Sequence, residues 1–340
     1  MDQFWVWPAA ILGLILLVLV IVKLCGVEPR DAAALMGRAM QSPDFWGEVA
    51  RRSAVLGLCG LSVVLSFRAG LFNIGAEGQL LAGAIAATAV ATKIFGSETP
   101  WFVGMPLMVL AGCAAGACWS LLAGVLRVWK SVSEVISTLM LNLIAIWLLR
   151  YVVSYPQLLQ EPGSNFSQGA PFVESLRFSR WGGTPFHTGV LLVPLILAAA
   201  QVFLFMTRGG LALRATGLNP VAARACGIRT LRLGLLTFGA AGALAGCAGA
   251  MGVMAQGYLP HALFPDYGYM AIAVALVAFL HPLAVLPSAL FFGFLETAAS
   301  TTQTAGVPNE VLFAIQGLVI VALLCRGVRL PGTKREDAPA

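Results

Sequence analysis

Long apolar runs separated by short polar intervals dominate the chain. They fall at residues 1–22, 53–67, 78–95, 102–126, 134–155, 189–206, 233–255, 268–281, 283–298 and 311–325. A helix that crosses the hydrocarbon core needs about 20 apolar residues. The pattern therefore predicts an all-α polytopic membrane protein with about ten transmembrane or re-entrant helices. Three runs, 53–67, 268–281 and 283–298, are short for a full crossing. Short or interrupted apolar segments mark the region where solute-carrying membrane proteins bind their cargo.

Composition strengthens this picture. The 340 residues are 59% hydrophobic and 11% charged, against about 25% charged in a soluble domain, and mean hydropathy is +0.87. One transmembrane domain over residues 1–340 is expected, with a first span at 1–25, a loop at 207–232 and a tail at 326–340. Residues 1–22 carry Asp2 but no basic start and no small-residue cleavage pattern, so they read as a retained span rather than a signal peptide. Residues 26–52 mix acids and bases evenly, as an amphipathic interfacial helix does. The 7 cysteines and 3 histidines lack metal-ligand spacing, and no C-x-x-C occurs. No metal and no cofactor are expected.

Placement of Lys and Arg sets the expected orientation. The 207–232 loop holds Arg208, Arg214, Arg224, Arg229 and Arg232 without an acid, and the tail holds Arg326, Arg329, Lys334 and Arg335. Loops 256–267 and 299–310 have neither Lys nor Arg. Both basic segments are expected in the cytoplasm. Counting back places 156–188 outside and the N-terminus inside. The 26–52 segment then lies outside with Arg30, Arg38, Arg51 and Arg52, balanced by Glu28, Asp31, Asp44 and Glu48.

The stretch Arg68–Gln79, R-A-G-L-F-N-I-G-A-E-G-Q, interrupts the apolar pattern most sharply. Backbone freed by glycine persists at membrane depth only when buried in protein or lining a wet cavity, and an ionisable residue there is a functional candidate. A substrate pathway is expected along Phe72, Asn73, Gly75, Glu77, Gly78 and Gln79. The competing reading pairs Glu77 with Arg68 and makes it the cap of a helix starting near Gly78. Glu134 and Glu296 fall near span ends and read as interfacial. Phe67, Phe72, Phe291, Phe292 and Phe294 could stack on a planar ring, or simply face lipid. Gly112 and Gly116, and Gly239, Gly242, Gly246, Gly249 and Gly252, have the spacing of close helix packing.

The 207–232 loop contains a punctuated short helix. Asn219 suits the N-cap, Pro220 the first turn and Gly227 the position past the end, which predicts a helix over Pro220–Cys226 after a second short one at Leu211–Thr216. A helix of two turns is unstable alone, so it reads as a docking element for a cytoplasmic partner; the alternative is a basic loop lying on anionic lipid. No phosphate-binding G-x-x-x-x-G-K-[ST] loop occurs, so ATP would have to be handled by a separate subunit. No H-E-x-x-H, no G-x-S-x-G and no paired intramembrane aspartates occur, which argues against an enzyme.

Three blocks carry a family resemblance: G-L-F-N-I-G-A-E-G-Q-L-L-A-G-A, S-E-V-I-S-T-L-M-L-N (Ser133–Asn142) and G-L-N-P-V-A-A-R-A-C-G-I (Gly217–Ile228). Over about residues 45–325 the chain resembles permease subunits of bacterial ABC importers, in the nucleoside and simple-sugar branch of the branched-chain amino-acid permease superfamily. The resemblance implies a multi-pass subunit of the bacterial cytoplasmic (inner) membrane that moves a nucleoside or related small polar solute by alternating access. It implies cytoplasmic ATP-binding subunits, a second permease copy or paralogue and an extracytoplasmic substrate-binding lipoprotein as partners, and no nucleic acid. Carried over by position, Gly217, Asn219, Pro220, Ala222, Ala223 and Gly227 would form the ATPase-coupling region, and Asn142 would join the pathway residues. Two departures stand out: no proline occurs over Ser53–Leu56, and Leu280-His281-Pro282-Leu283 places a histidine where an asparagine is common. An ion-coupled secondary transporter working through Glu77 is the alternative.

Overall fold

The structure is a computed structural model, and it describes residues 28–304 apart from 97–98 and 131, together with Lys23 and Gly317. The expected spans at 1–25 and 311–325 and the 326–340 tail lie outside the described residues. The described chain is helical: α1 (Pro29–Ala39), α2 (Pro43–Arg68), α3 (Ala76–Ala89), α4 (Trp101–Lys130), α5 (Glu134–Ser154), α6 (Leu192–Met206), α7 (Arg208–Leu218), α8 (Pro220–Ala225), α9 (Thr230–Gln256), α10 (Tyr267–Val277) and α11 (Val285–Gln303). The chain divides into two units, one from Met1–Ser42 with Leu295–Ala340, the other Pro43–Phe294. In the first, α1 carries Asp31 in its first turn and Arg38 in its last, the charge placement a helix dipole favours.

Six described helices are long and apolar enough to cross a membrane, not about ten: Pro43–Arg68, Trp101–Lys130, Glu134–Ser154, Thr188–Met206, Thr230–Gln256 and Pro282–Gln303. Of the ten expected runs, 1–22 and 311–325 lie outside the described residues and 78–95 and 268–281 are not full spans, whereas two runs that read as short are full-length helices. The run at 53–67 is the end of a 26-residue helix. Its charged start is tolerated because Glu48 takes Arg51 Nε at 2.8 Å, Arg51 Nη2 at 2.6 Å and Arg52 Nε at 2.6 Å. The run at 283–298 continues past its polar end because the hydroxyls of Thr301 and Thr302 bond to the carbonyls of Thr297 and Ala298, four residues back. Conversely, 78–95 and 268–281 are not full crossings. They fold as 14-residue α3, followed by a π-helical turn at Val90–Ile94, and as 11-residue α10. At 1.5 Å per residue α10 reaches about 16 Å, against a hydrocarbon core of about 30 Å. With its π turn α3 covers Ala76–Ile94 but carries Glu77 and Gln79 at its start and Lys93 at its end, which makes it too polar to count as a span.

In the Pro43–Phe294 unit, α9 is the central element, packed between α4, α3 and α2. Its glycines explain how three helices share one neighbour. A Cβ on Gly246 would run into the Gly112 carbonyl, one on Gly242 into the Gly116 carbonyl, and one on Gly249 into the Leu80 carbonyl. Bare backbone thus meets bare backbone on two sides of α9, which replaces the hydrophobic drive that lipid does not supply. The aromatic set at 291–294 serves packing. Phe292 is wholly buried, and Phe294 stands 5.8 Å from Phe45 and 6.2 Å from Trp46.

Candidate functional site

The motif segment joins α2 to α3. After Arg68 the chain turns at Gly70 (φ 72°) and runs without regular structure to Gly75. Its side chains alternate: Leu71 and Asn73 are buried while Phe72 is 56% exposed and faces Phe67 at 5.4 Å. Asn73 turns the chain back into a helix. Its Oδ1 accepts from Gly75 N at 3.0 Å and from Gln79 Nε2 at 2.9 Å, and its Nδ2 donates to Gln79 Oε1 at 3.3 Å. Two buried amides thereby satisfy each other across the first turn of α3.

Asn142 on α5 and Glu77 on α3 extend this pair into a network. Asn142 Oδ1 accepts from Gly78 N at 2.9 Å, filling one of the donors a helix start leaves open. Its Nδ2 donates to the Ile74 carbonyl at 3.0 Å and to the Tyr269 hydroxyl at 3.2 Å. Glu77 Oε2 accepts from Gly268 N at 2.6 Å, in the first turn of α10. The carboxylate therefore caps a second short helix whose own N-cap residue, Asp266, contributes no side-chain bond. A negative charge at that N-terminus is also favoured by the helix dipole. Glu77 does not pair with Arg68; Arg68 Nε donates to the Leu280 carbonyl at 2.9 Å.

The structure thus brings together Asn73, Gly75, Glu77, Gly78, Gln79 and Asn142, all buried, and leaves Phe72 outside the group. Their polar capacity is spent on one another and on two helix starts, as burial at membrane depth demands. Three further residues belong here: Gly268, Tyr269 and Trp119. Gly268 has no room for a side chain, since a Cβ there would strike Glu77 N. Tyr269 and Trp119 are half-buried. Trp119 Nε1 has no hydrogen-bond partner among the described residues and would lie 2.9 Å from a Cβ on Gly78. An aromatic with a polar edge beside the interrupted helix is the signal that could have drawn attention to both.

The 207–232 loop folds into α7 and α8. Thr207 caps α7, its hydroxyl accepting from Gly210 N at 3.1 Å. Asn219 Oδ1 accepts from Val221 N and Ala222 N at 3.0 Å each, Pro220 opens α8, and Gly227 follows it at φ 82°. Asn219, Pro220 and Ala222 are exposed, Gly217 is half-buried and Ala223 is buried. Sequence reasoning missed the apolar side chains this element shows to solvent, Leu218 at 88% and Val221 at 66% exposure. Gly217 presses on the motif, because a Cβ there would strike the Arg68 carbonyl. Behind α8 lies a cavity of about 270 Å³, lined by Leu71, Arg127, Gly217, Arg224, Gly234 and Phe238 among others. Arg127 in its wall is held by Glu134 at 2.6 Å.

The branched-chain amino acid transport system / permease component family model matches residues 46–324. The chain is 36% identical over 314 residues to a glucose ABC transporter permease from Haloferax volcanii, covering 88% of this chain and 81% of that one. It is 32% identical over 289 residues to a guanosine ABC transporter permease from Bacillus subtilis (82% and 80% covered). It is 30% identical over 292 residues to a nucleoside ABC transporter permease from Lactococcus lactis (83% and 79% covered). No solved structure matches.

Proposed function

We propose a working mechanism from one premise: the chain belongs to the branched-chain amino acid transport system / permease component family. It is a polytopic membrane permease subunit for ABC-type import and not an enzyme. Membership implies the usual importer partners, an ATPase and a substrate-binding protein. The cargo we propose is a nucleoside or related small polar solute. Both termini and α7–α8 would face the cytoplasm, following the excess of arginine in 207–232.

The observation that carries the mechanism is the contact of Gly217 with the motif at Arg68 and Gly70. On one side of that contact, the end of α7 and the start of α8 offer Leu218 and Val221 to a partner; an exposed apolar pair at a punctuated helix junction suits docking into a groove of the ATPase. On the other side, the motif leads within a few residues to the Asn73–Gln79–Asn142–Glu77 network that holds the starts of α3 and α10. Movement of the docked helix into the cavity behind it would therefore be transmitted to both interrupted helices. In this mechanism the buried amides and Glu77 shape the pathway wall, and the half-buried Trp119 and Tyr269 beside them meet the solute. An indole N–H and a phenol hydroxyl on flat apolar rings suit a sugar or a nucleoside.

The test is uptake by proteoliposomes holding this chain with its partner permease and ATPase, offered radiolabelled guanosine and glucose with the substrate-binding protein. Uptake that requires enclosed ATP, and that is lost on changing Trp119 and Tyr269 to Leu and Phe, supports the reading. Uptake without the ATPase, driven by an ion gradient, would replace it with the secondary-transporter mechanism.

A further inference from the structure

A cationic cluster lies apart from the network and from the exposed face of α8. Arg214 on α7 and Arg68 at the end of α2 both approach the ring of Phe205, their guanidinium carbons 4.8 and 5.6 Å from its centre. His281 lies against the same ring, 5.3 Å between centroids, and its Nε2 is 3.5 Å from Gln201 Nε2. Two like charges thus share one aromatic face, and among the described residues neither has a carboxylate partner. That is unlike Arg51, Arg52 and Arg127, each of which meets a glutamate. Among the described residues, Arg214 Nε and Gln201 Oε1 are both buried with no hydrogen-bond partner. Unpaired buried polar atoms of this kind call for an occupant. Arg214 Nε is an open donor and Gln201 Oε1 an open acceptor, and both residues flank Phe205 or the His281 that lies against it.

The surroundings say where that ligand comes from. Gln201 and Phe205 belong to α6, within a span most of whose side chains are uncovered. Phe203, Met206, Phe279 and Leu283 stand exposed on the elements that supply the cluster. Uncovered apolar side chains beside guanidinium groups at the end of a membrane-length helix describe a boundary between acyl chains and headgroups. Guanidinium forks bind phosphate oxygens in matched pairs.

We propose that Arg214, Arg68 and Gln201 form a binding site for the headgroup of an anionic phospholipid bearing a free hydroxyl, of the phosphatidylglycerol type. The phosphodiester accepts from the Arg214 guanidinium and offsets one of the two positive charges at Phe205, and the headgroup hydroxyl donates to Gln201. The acyl chains lie along α6. The site would seat the α6–α7 corner in the leaflet and so steady the element from which α8 projects.

The experiment is native mass spectrometry and thermal melting of the purified full chain, with phosphatidylglycerol, phosphatidylcholine or inorganic phosphate added. Wild type should retain phosphatidylglycerol at least fivefold over phosphatidylcholine and melt higher in its presence. Arg214→Gln should lose most of that preference. Arg214→Lys should keep the charge and part of the preference. Arg232→Gln, which removes an exposed arginine outside the cluster, should behave as wild type. The proposal fails if Arg214→Gln retains the lipid, if Arg232→Gln loses it equally, or if inorganic phosphate protects as well as the lipid. It also fails if Met206→Cys cross-links two copies in membranes, which would make this face a protein interface.

Discussion

Gly70 and Gly217 meet backbone to backbone: a Cβ on Gly70 would lie 3.2 Å from Gly217 Cα, and one on Gly217 would strike the Arg68 carbonyl. Gly70 also needs its positive φ of 72° to turn the chain out of α2. The contact joins the interrupted stretch to the last turn of α7, two residues before Asn219 caps α8. A side chain has no room at Gly217 and would be crowded at Gly70, so the two segments are in direct backbone contact.

Gly217→Ala tests that coupling. Alanine improves helix propensity by about 1 kcal/mol, but overpacking against backbone costs about 1–3 kcal/mol. The expected outcome is a tenfold or greater loss of uptake, with the chain still inserted and still co-purifying with the ATPase. Normal uptake at an unchanged melting temperature would show that the contact transmits nothing.

Glu77 gives a graded prediction. Glu77→Ala leaves the buried Gly268 N–H without its acceptor, at a cost of about 1–3 kcal/mol. Glu77→Gln keeps an oxygen in reach and loses only the charge at the α10 N-terminus, worth about 0.3–1 kcal/mol and up to ~2 when partly buried. Melting temperatures of the two variants in detergent should therefore fall in the order wild type, Gln, Ala. If Gln is as damaging as Ala, charge rather than hydrogen bonding is what Glu77 provides.

These two contacts also show what the sequence could and could not disclose. The α8 helix was legible because caps act within a few residues: Asn219 bonds two and three positions ahead, and Gly227 follows directly. The exposure of Phe72 was not legible, because an unwound segment alternates its side chains and sends Phe72 outward between buried Leu71 and Asn73. The partner of Glu77 was illegible, since Gly268 lies 191 residues away and only the packing of α3 on α10 brings it near. The span count failed on local grounds. The runs 78–95 and 268–281 are apolar enough to read as spans, yet the first is opened by Glu77 and Gln79 and the second folds as only 11 residues.

The docking face yields a prediction by contrast. Leu218→Asp and Val221→Asp change side chains that are 88% and 66% exposed, so the isolated chain should melt as wild type does while recovery with the ATPase drops sharply. Ala223→Asp instead forces a carboxylate into a position only 4% exposed and should lower the melting temperature of the chain by itself. Pull-down and melting measured on the same preparations separate the cases. Undiminished recovery with Val221→Asp would remove α8 from the interface.

A last prediction concerns acid. His187 sits in the loop before α6, only 3% exposed and stacked on Phe178 at 5.0 Å with planes 8° apart. Its Nδ1 has no hydrogen-bond partner among the described residues. Burial foremost, then the nearby charges of Arg51 and Arg180, lower its pKa from 6.5 to about 4, with Glu48 offsetting a small part. The folded chain thus holds the imidazole neutral where the unfolded chain protonates it. Between about pH 6.5 and 4 the unfolded state binds more protons, so stability is fully present above that window and is lost as pH falls through it. At 1.36 kcal/mol per unit the loss is on the order of 3 kcal/mol. His187→Phe keeps the stacked ring, removes the titrating group and the unpaired nitrogen, and should hold its melting temperature at pH 7 while flattening its decline toward pH 4.5. A variant whose melting temperature falls with acid as steeply as wild type would place the acid-sensitive group elsewhere.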